Sequence, residues 1–310
     1  MAAKATRDAF GEALAKLGDT YPEIVALDAD LAKSTKSEIF ARKFPNRFFE
    51  MGIAEANMIG TAAGLALSGK TPFACSFAAF ITGRYDQIRM SVAYAQANVR
   101  IVGSHAGVAI GDDGHSQMGI EDVALMRALP GMLVIQPADD LETEAAVEFL
   151  CRHKGPAFLR TTRQKLERVN KEGYTFELGK AVELRGGGKD AIIFATGGEV
   201  MFALKAAELL EKEGLDVGVV NIHTIKPIDA KAILDAASRT RLLVTAEDHS
   251  IIGGLGTAVA EVLAENGVGK KLYRIGVRDT FGESGLPDDV LKYFKLDANG
   301  IAEQVREALR

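Results

Sequence analysis

The sequence predicts an α/β protein of two domains, each built on a mainly parallel sheet flanked by helices. Three observations predict it. Short apolar, β-rich runs alternate with longer helical patterns from end to end, as a parallel sheet covered on both faces requires. One charged, glycine-containing stretch, "QKLERVNKEGYTFELGKAVELRGGGKD", breaks that alternation. It places a junction near residues 164 to 175, with one domain over 1–168 and a second over 176–310. A chain of 310 residues is also long enough for two cores of ordinary size.

Taken in order, the elements read as follows. "MAAKATRDAFGEALAKLG" has no apolar core followed by a cleavage site, so it reads as an amphipathic helix rather than a signal peptide. "EIVALDAD" is brief, apolar and ended by acids, which fits a buried strand. "KTPFACSF", "NVRIVGSHAG", "GMLVIQP" and "GPAFLRTT" read the same way, and "AEANMIGTAAGLALS", "GRYDQIRMSVAYAQ" and "DLETEAAVEFLCRH" are the helices between them. The first of these helices is so rich in Ala, Gly, Ile and Leu that it should be buried nearly all round. Beyond the junction, which should feed a hairpin-like start, the strands are "AIIFATG", "LDVGVVNIHT", "RLLVTAEDH" and "KLYRIGVRD". Their helices include "EVMFALKAAELLEKEG", "DAKAILDAASR" and "LGTAVAEVLAENG".

Composition narrows the function classes. Apolar residues at 47% and charged residues at 25% are globular values. A net charge of -5 argues against a nucleic-acid surface, which needs a basic patch. No run approaches the roughly 18 apolar residues of a membrane helix. Cys75 and Cys151 lie far apart, without metal-ligand spacing or a disulfide framework. These features predict a soluble, cytoplasmic protein with reduced thiols.

Five stretches carry candidate chemistry. Glu55 is an acid among small apolar residues, where an unpaired charge is costly. It suits either a helix-start acid complementing the helix dipole or a carboxyl held for proton transfer. Phe77 and Phe80 stand three apart near a strand end, where open α/β sheets bind ligands. They fit core packing or a clamp on a flat heterocycle. In "GSHAGVAIGDDGHSQMGIED" the polar groups crowd directly after a strand, with His105 at the strand end. "GDDG" reads as a tight turn rather than a metal motif. "FLRTTRQ" offers Arg160 and Arg163 at a strand exit as an anion seat, since a guanidinium binds phosphate through two parallel hydrogen bonds. "GGLGTAVAE" could cradle a phosphate at a helix start, but it lacks the full dinucleotide fingerprint and follows "TAEDHSII" rather than a clean strand.

Together these segments resemble the C-terminal half of transketolase, its pyrimidine-binding domain followed by its C-terminal domain. "MGIAEANMIGTAAGLA", "FAAFITGRYDQIRMSVA" and "GSHAGVAIGDDGHSQMGIEDVALMRALPGMLVIQPAD" occur in that family's order and spacing. The resemblance covers essentially the whole chain. It implies thiamine diphosphate as cofactor, with Glu55 bonded to a ring nitrogen of the aminopyrimidine and sharing its proton, so that the cofactor's imino form generates the ylid. It further implies that Phe80 stacks on the aminopyrimidine beside Phe77, that Gln117 lies near the cofactor amino group, and that Asp30 approaches the cofactor. Gln117 resembles the animal-type subgroup and cannot act as an acid or base at neutral pH. Arg7, Ser34, His105 and Arg163 match positions that hold the sugar phosphate, and Asp113 matches the acid that reads a sugar hydroxyl. His105 is thereby placed with Glu55 among the catalytic candidates. His115 stands where the family often has Pro, which bears on substrate preference rather than reaction class.

The resemblance also implies what lies elsewhere. The domain that holds the diphosphate through a divalent metal, Mg or Ca, is expected on a separate N-terminal-type transketolase subunit, giving a split transketolase of α2β2 form. No metal ligand is expected in this chain, no nucleic acid or membrane partner, and no activity without the second subunit. The implied reaction moves a two-carbon ketol unit between sugar phosphates, as in the pentose phosphate pathway. One rival is the β subunit of a two-chain 2-oxoacid dehydrogenase, which would not need Arg7, Ser34, His105 and Arg163 together. A deoxyxylulose phosphate synthase fragment fits less well, because "FAAFITGRYDQ" has the transketolase spacing. A non-catalytic sugar-phosphate sensor would be expected to lose the acid or the phosphate residues, and all are present. No residue of the C-terminal domain is expected in the chemistry.

Overall fold

The apolar runs Ile24–Asp28 and Thr71–Phe77 are fully buried strands, as their unbroken hydrophobicity requires of a sheet covered on both faces. In the computed structural model of the chain, which describes residues 3–310, they lie side by side within a seven-stranded sheet. Its order is Thr224–Lys226, Leu133–Ile135, Ala157–Arg160, Arg100–Ser104, Thr71–Phe77, Ile24–Asp28, Phe48–Glu50. All pairings are parallel except that of Thr224–Lys226, which runs antiparallel on Leu133–Ile135. The chain leaves Ile24–Asp28 for the edge at Phe48–Glu50 and returns on its other side as Thr71–Phe77. That reversal opens a crevice at the carboxyl ends of these two strands.

The second sheet is five-stranded, in the order Leu272–Val277, Leu242–Ser250, Ala191–Ala195, Val217–Asn221, Val182–Arg185. Val182–Arg185 is its antiparallel member, paired with Val217–Asn221. The stretch after the junction therefore does not start a hairpin: its partner is a strand some thirty residues on, reached only after the helix Glu199–Glu211. The junction is also more structured than a linker, because Lys165–Leu166 pairs with Lys4–Ala5. Asp139 then pins the next turn, accepting from Val169 N (2.9 Å) and Asn170 N (2.7 Å).

Two helical expectations need correction. The helix Glu55–Leu67 buries one face through Met58, Ile59, Ala62 and Ala63, but Ala56, Asn57 and Gly64 face solvent. Small residues there reflect a face that no element among the described residues covers. "GRYDQIRMSVAYAQ" forms one helical turn, Tyr85–Gln87, and continues as a π-helical stretch, Ile88–Tyr94. Both cysteines are buried and free. Among the described residues no helix is long and apolar enough to cross a membrane.

Candidate active site

Because the parallel strands share a register, Asp28, Phe77, Ser104 and Arg160 finish near one sheet edge. The chain that follows each strand carries a candidate. After Ile24–Asp28, the buried Asp28 carboxylate accepts from Leu31 N (2.7 Å), Thr35 Oγ1 (2.6 Å) and Ser37 Oγ (2.8 Å). These bonds fold the turn Ala32–Thr35 that presents Lys33 and Ser34. Burial raises the Asp28 pKa to about 6 despite them. At the other end, Thr162 N donates to Thr6 Oγ1 (2.8 Å). That bond ties the start of helix Thr6–Leu17 to the strand exit and brings Arg7 to Arg163.

His105 follows Arg100–Ser104 with a positive φ of 54°, an uncommon conformation outside glycine. Its ring stacks on Phe77 at 3.8 Å between centroids. Arg7 Nη1 lies 2.8 Å from Nε2, and Ser104 Oγ lies 2.8 Å from Nδ1. A guanidinium can only donate, so Nε2 accepts and Nδ1 carries the hydrogen toward Ser104. Burial, then Arg7, Arg163 and Lys36, lower the His105 pKa to about 3. The free imidazole is therefore neutral, and the positive charge here belongs to the arginines and Lys33. Arg7 also donates to Ser34 O (3.0 Å), while its buried Nε has no hydrogen-bond partner among the described residues.

Arg7, Lys33, Ser34, Phe77, His105, Asp113, Gln117 and Arg163 surround one cavity of about 400 Å³. Seven of the ten candidate residues thus meet in one place, joined by Lys33, which the sequence reading missed although it directly precedes Ser34. Asp113 is not free: Arg163 Nη1 donates to it (2.9 Å), to Asp112 (3.1 Å) and to Ile110 O (3.1 Å).

Glu55, Phe80 and Asp30 do not line this cavity. Phe80 adjoins it through Phe77, the two rings being 5.5 Å apart and 15° from parallel. Phe80, Phe77 and His105 thus form a row of rings from the aromatic pair into the cationic cavity. Glu55 opens its helix at 5% exposure, and its setting is less apolar than the sequence suggests, since Arg84 Nη2 stands 3.7 Å from Oε2. Asp30 is exposed, and its backbone N–H is held by Glu50 Oε1 (2.7 Å).

Two further anion-seat expectations fail for clear reasons. Arg160 is fully buried and pairs with Asp122 through Nε (2.7 Å) and Nη2 (3.1 Å), with Nη2 also reaching Gly119 O and Asp248 O. It is a structural ion pair whose Nε and Nη2 donors are already engaged. "GGLGTAVAE" does follow a clean strand, Leu242–Ser250, yet Glu247 already accepts from Leu255 N (2.7 Å) and Gly256 N (2.8 Å) at that helix start. An acid occupies the place a phosphate would need. Among the described residues no group of three or more His, Cys, Asp or Glu is placed to hold a metal ion.

The arrangement offers a cationic cavity, a near-parallel aromatic pair, and a buried acid near the switch-point crevice. A flat heterocycle and a phosphorylated chain are the chemistry it suits.

Known proteins resemble this chain along nearly its whole length. Residues 2–168 match the family described as transketolase, pyrimidine binding domain, and residues 179–301 match transketolase, C-terminal domain. A protein described as a transketolase C-terminal section, from Methanocaldococcus jannaschii, is 48% identical over 310 residues, covering 99% of this chain and 97% of its own length. The 6-deoxy-6-sulfo-D-fructose transketolase subunit of a Clostridium species is 45% identical over 302 residues, covering 97% and 93%. Human transketolase is 43% identical over 306 residues, which span 97% of this chain but 48% of the human protein. Among solved structures, a split gene transketolase described as an inactive beta4 tetramer superposes with a TM-score of 0.89 at 44% identity, covering 99% of both chains. The chain belongs to the transketolase family and corresponds to its C-terminal section, the pyrimidine-binding domain followed by the C-terminal domain.

Proposed function

We propose that this chain is the C-terminal subunit of a split transketolase, moving a two-carbon ketol unit from a ketose phosphate to an aldose phosphate with thiamine diphosphate. The observation that carries the reading is the cavity of Arg7, Lys33, Ser34, His105 and Arg163, joined by a row of stacked rings to the Phe77–Phe80 pair. Bound thiamine diphosphate would supply a thiazolium able to stabilise negative charge on the transferred fragment. Phe77 and Phe80 would hold its aminopyrimidine ring, and Glu55 would hold a proton at a ring nitrogen. Gln117 can donate or accept a hydrogen bond without changing charge. Arg7 and Arg163 would grip the sugar's anionic end through charge-assisted hydrogen bonds. An arriving dianion would offset the cations that, after burial, hold the His105 pKa down.

The diphosphate and a divalent metal, Mg or Ca, are assigned to a separate N-terminal-type subunit in an α2β2 assembly. Supporting this, Ile53 and Tyr94 are 82% and 80% exposed beside the Glu55 helix, and Met90 is exposed on the π-helical stretch that packs against it. Ile53 directly precedes that helix in sequence, and Leu67 on the helix itself is also exposed. The description of the related split gene tetramer as inactive supports dependence on a second subunit.

Cations around the cavity favour this reading over the β subunit of a two-chain 2-oxoacid dehydrogenase, whose substrate carries no phosphate. A sulfonate is also a tetrahedral oxyanion, so the sulfo-sugar relative raises a specific substrate question. The deciding experiment mixes the chain with an N-terminal-type subunit, thiamine diphosphate and Mg. Ketol transfer is then followed from xylulose 5-phosphate or 6-deoxy-6-sulfofructose to ribose 5-phosphate, with pyruvate as control. Transfer from the phosphorylated ketose by the mixture, and none by the chain alone, is expected. Turnover of pyruvate without ketol transfer would overturn the reading, as would full activity of the chain alone.

A further inference from the structure

The loop from His105 to Met118 belongs by sequence to the first domain, but its apolar residues also pack against the second. Val108, Ala109, Ile110 and Met118 join one hydrophobic cluster with Val290, Leu291, Leu296 and Ile301 of the C-terminal domain. The loop backbone is shaped against that domain as well. Asp248 Oδ1 accepts from Val108 N at 2.7 Å and Oδ2 from Ala109 N at 3.3 Å. Gly107, with φ of 84°, sits so close that a Cβ would collide with the Asp248 carboxylate. Gly111, also with φ of 84°, lies against Pro287, whose Cδ would be 2.7 Å from an added Cβ. Between these two anchors the chain turns, and Ile110 O accepts from Arg163.

We propose that the C-terminal domain acts as the template for substrate recognition, with Asp248 as a positioning residue that fixes the loop bearing His105, Asp113 and Gln117. It touches neither cavity nor substrate and acts through the backbone of Val108 and Ala109. The inference rests on the proposed sugar-phosphate site, although the anchoring itself does not. Arg160 adds a second hold on the same domain contact by donating to both Gly119 O and Asp248 O. Loosening the anchor frees the His105 end of the loop and the Ile110 carbonyl together, so both sides of the anion grip relax. The Phe77–Phe80 pair and Glu55 lie outside the loop and keep their places.

The test uses Asp248→Asn in the full chain, alone and in the mixture with the N-terminal-type subunit. An Asn oxygen retains one of the two bonds, while its amide nitrogen faces the second N–H. Hydrogen exchange at the Val108 and Ala109 amides of the full chain should quicken about tenfold, the factor equivalent to about 1.4 kcal/mol in the cost of opening. In the mixture, KM for xylulose 5-phosphate should rise about tenfold on the same scale, with kcat and thiamine diphosphate affinity falling by much less than that factor. Faster exchange with an unchanged KM overturns the proposal, as does equally fast exchange in the wild-type chain. If Asp248→Asn does not fold, Gly111→Ala provides the second arm, since it drives a methyl group into Pro287 from the loop side. It should give the same split between KM and kcat, and a loss of cofactor affinity equal to the loss in KM overturns the proposal. A wild-type mixture that transfers no ketol unit refutes the proposed function instead. In that case the affinity of the full chain for ribose 5-phosphate, measured by calorimetry, decides the role of Asp248. It should weaken in the variant, and an unchanged value overturns the proposal.

Discussion

At the scale of single residues, the same chemical group serves opposite ends according to its neighbours. Arg160 and Arg163 are three apart on one strand exit, yet Arg160 is sealed against Asp122 and Arg163 reaches the cavity. The sequence presents both as equal anion ligands, because nothing local distinguishes them. Glu55 is legible as an unusual acid, but its Arg84 neighbour is not, since Arg84 arrives from the turn between the helices Ala78–Thr82 and Tyr85–Gln87. Glu55→Gln should leave folding and assembly intact while lowering kcat of the mixture by a hundredfold or more, as loss of a positioned proton carrier does. Circular dichroism of the chain and steady-state rates of the mixture check this, and near-normal turnover would sink the role given to Glu55. Asp28 offers a test of burial. Its pKa is raised from 3.8 to about 6 by burial, so the folded state binds its proton more tightly than the unfolded chain. The stability it lends is fully present below pH 3.8 and is lost as pH rises through 6. Asp28→Asn has no such proton, so relative to wild type it should gain stability between pH 4 and pH 6, on the order of 2–3 kcal/mol, and hold that gain at higher pH. Urea midpoints across that range measure it, and a difference that does not change with pH contradicts it.

At the scale of elements, hydrophobic runs identified the central strands because full burial on both faces leaves an unmistakable pattern. Ile24–Asp28, Thr71–Phe77, Ala191–Ala195 and Val217–Asn221 are such cases. Thr224–Lys226 escaped notice for the converse reason: it is three residues long, and its partner strand is in the other domain. That short strand also carries Lys226, whose Nζ donates to Arg127 O (2.8 Å) and Leu129 O (2.6 Å) at the end of helix Asp122–Ala128. Unpaired carbonyls at a helix end need such donors, and a cation there complements the dipole. Lys226→Met keeps the apolar stem and removes the donors, so it should destabilise the chain by about 1–2 kcal/mol. Denaturant melts read this directly, and a change within about 0.5 kcal/mol, the range of ordinary surface substitutions, would show that the cap is dispensable. The Glu55 helix shows a third kind of limit. Composition predicted burial all round, whereas this chain covers one face only.

At the scale of the whole molecule, the two domains are distinct in sequence and interlocked in space. One sheet of the first domain is completed by Thr224–Lys226, and one hydrophobic cluster joins Val108, Met118 and Ile120 to Val290, Leu296 and Ile301. Separating the domains would break a strand pairing and expose apolar surface on both. The full chain should therefore unfold in one calorimetric transition, with calorimetric and van't Hoff enthalpies equal; two resolved transitions would show independent domains. By itself the sequence determined the α/β class and the order of the long elements, and strand-end position singled out Phe77, His105 and Arg163, whereas Arg7, Ser34, Asp113 and Gln117 came only from the family resemblance. Hydrophobic periodicity and strand-end position are local properties, and both survive in one dimension. Only the tertiary structure decided that His105 is neutral, that Asp113 is spent on Arg163, that Glu247 closes the glycine-rich helix start, and that the loop from His105 to Met118 is seated on the C-terminal domain. Each of those depends on which charges and surfaces meet across more than a few residues of chain. No spacing or propensity records such meetings before the chain has folded.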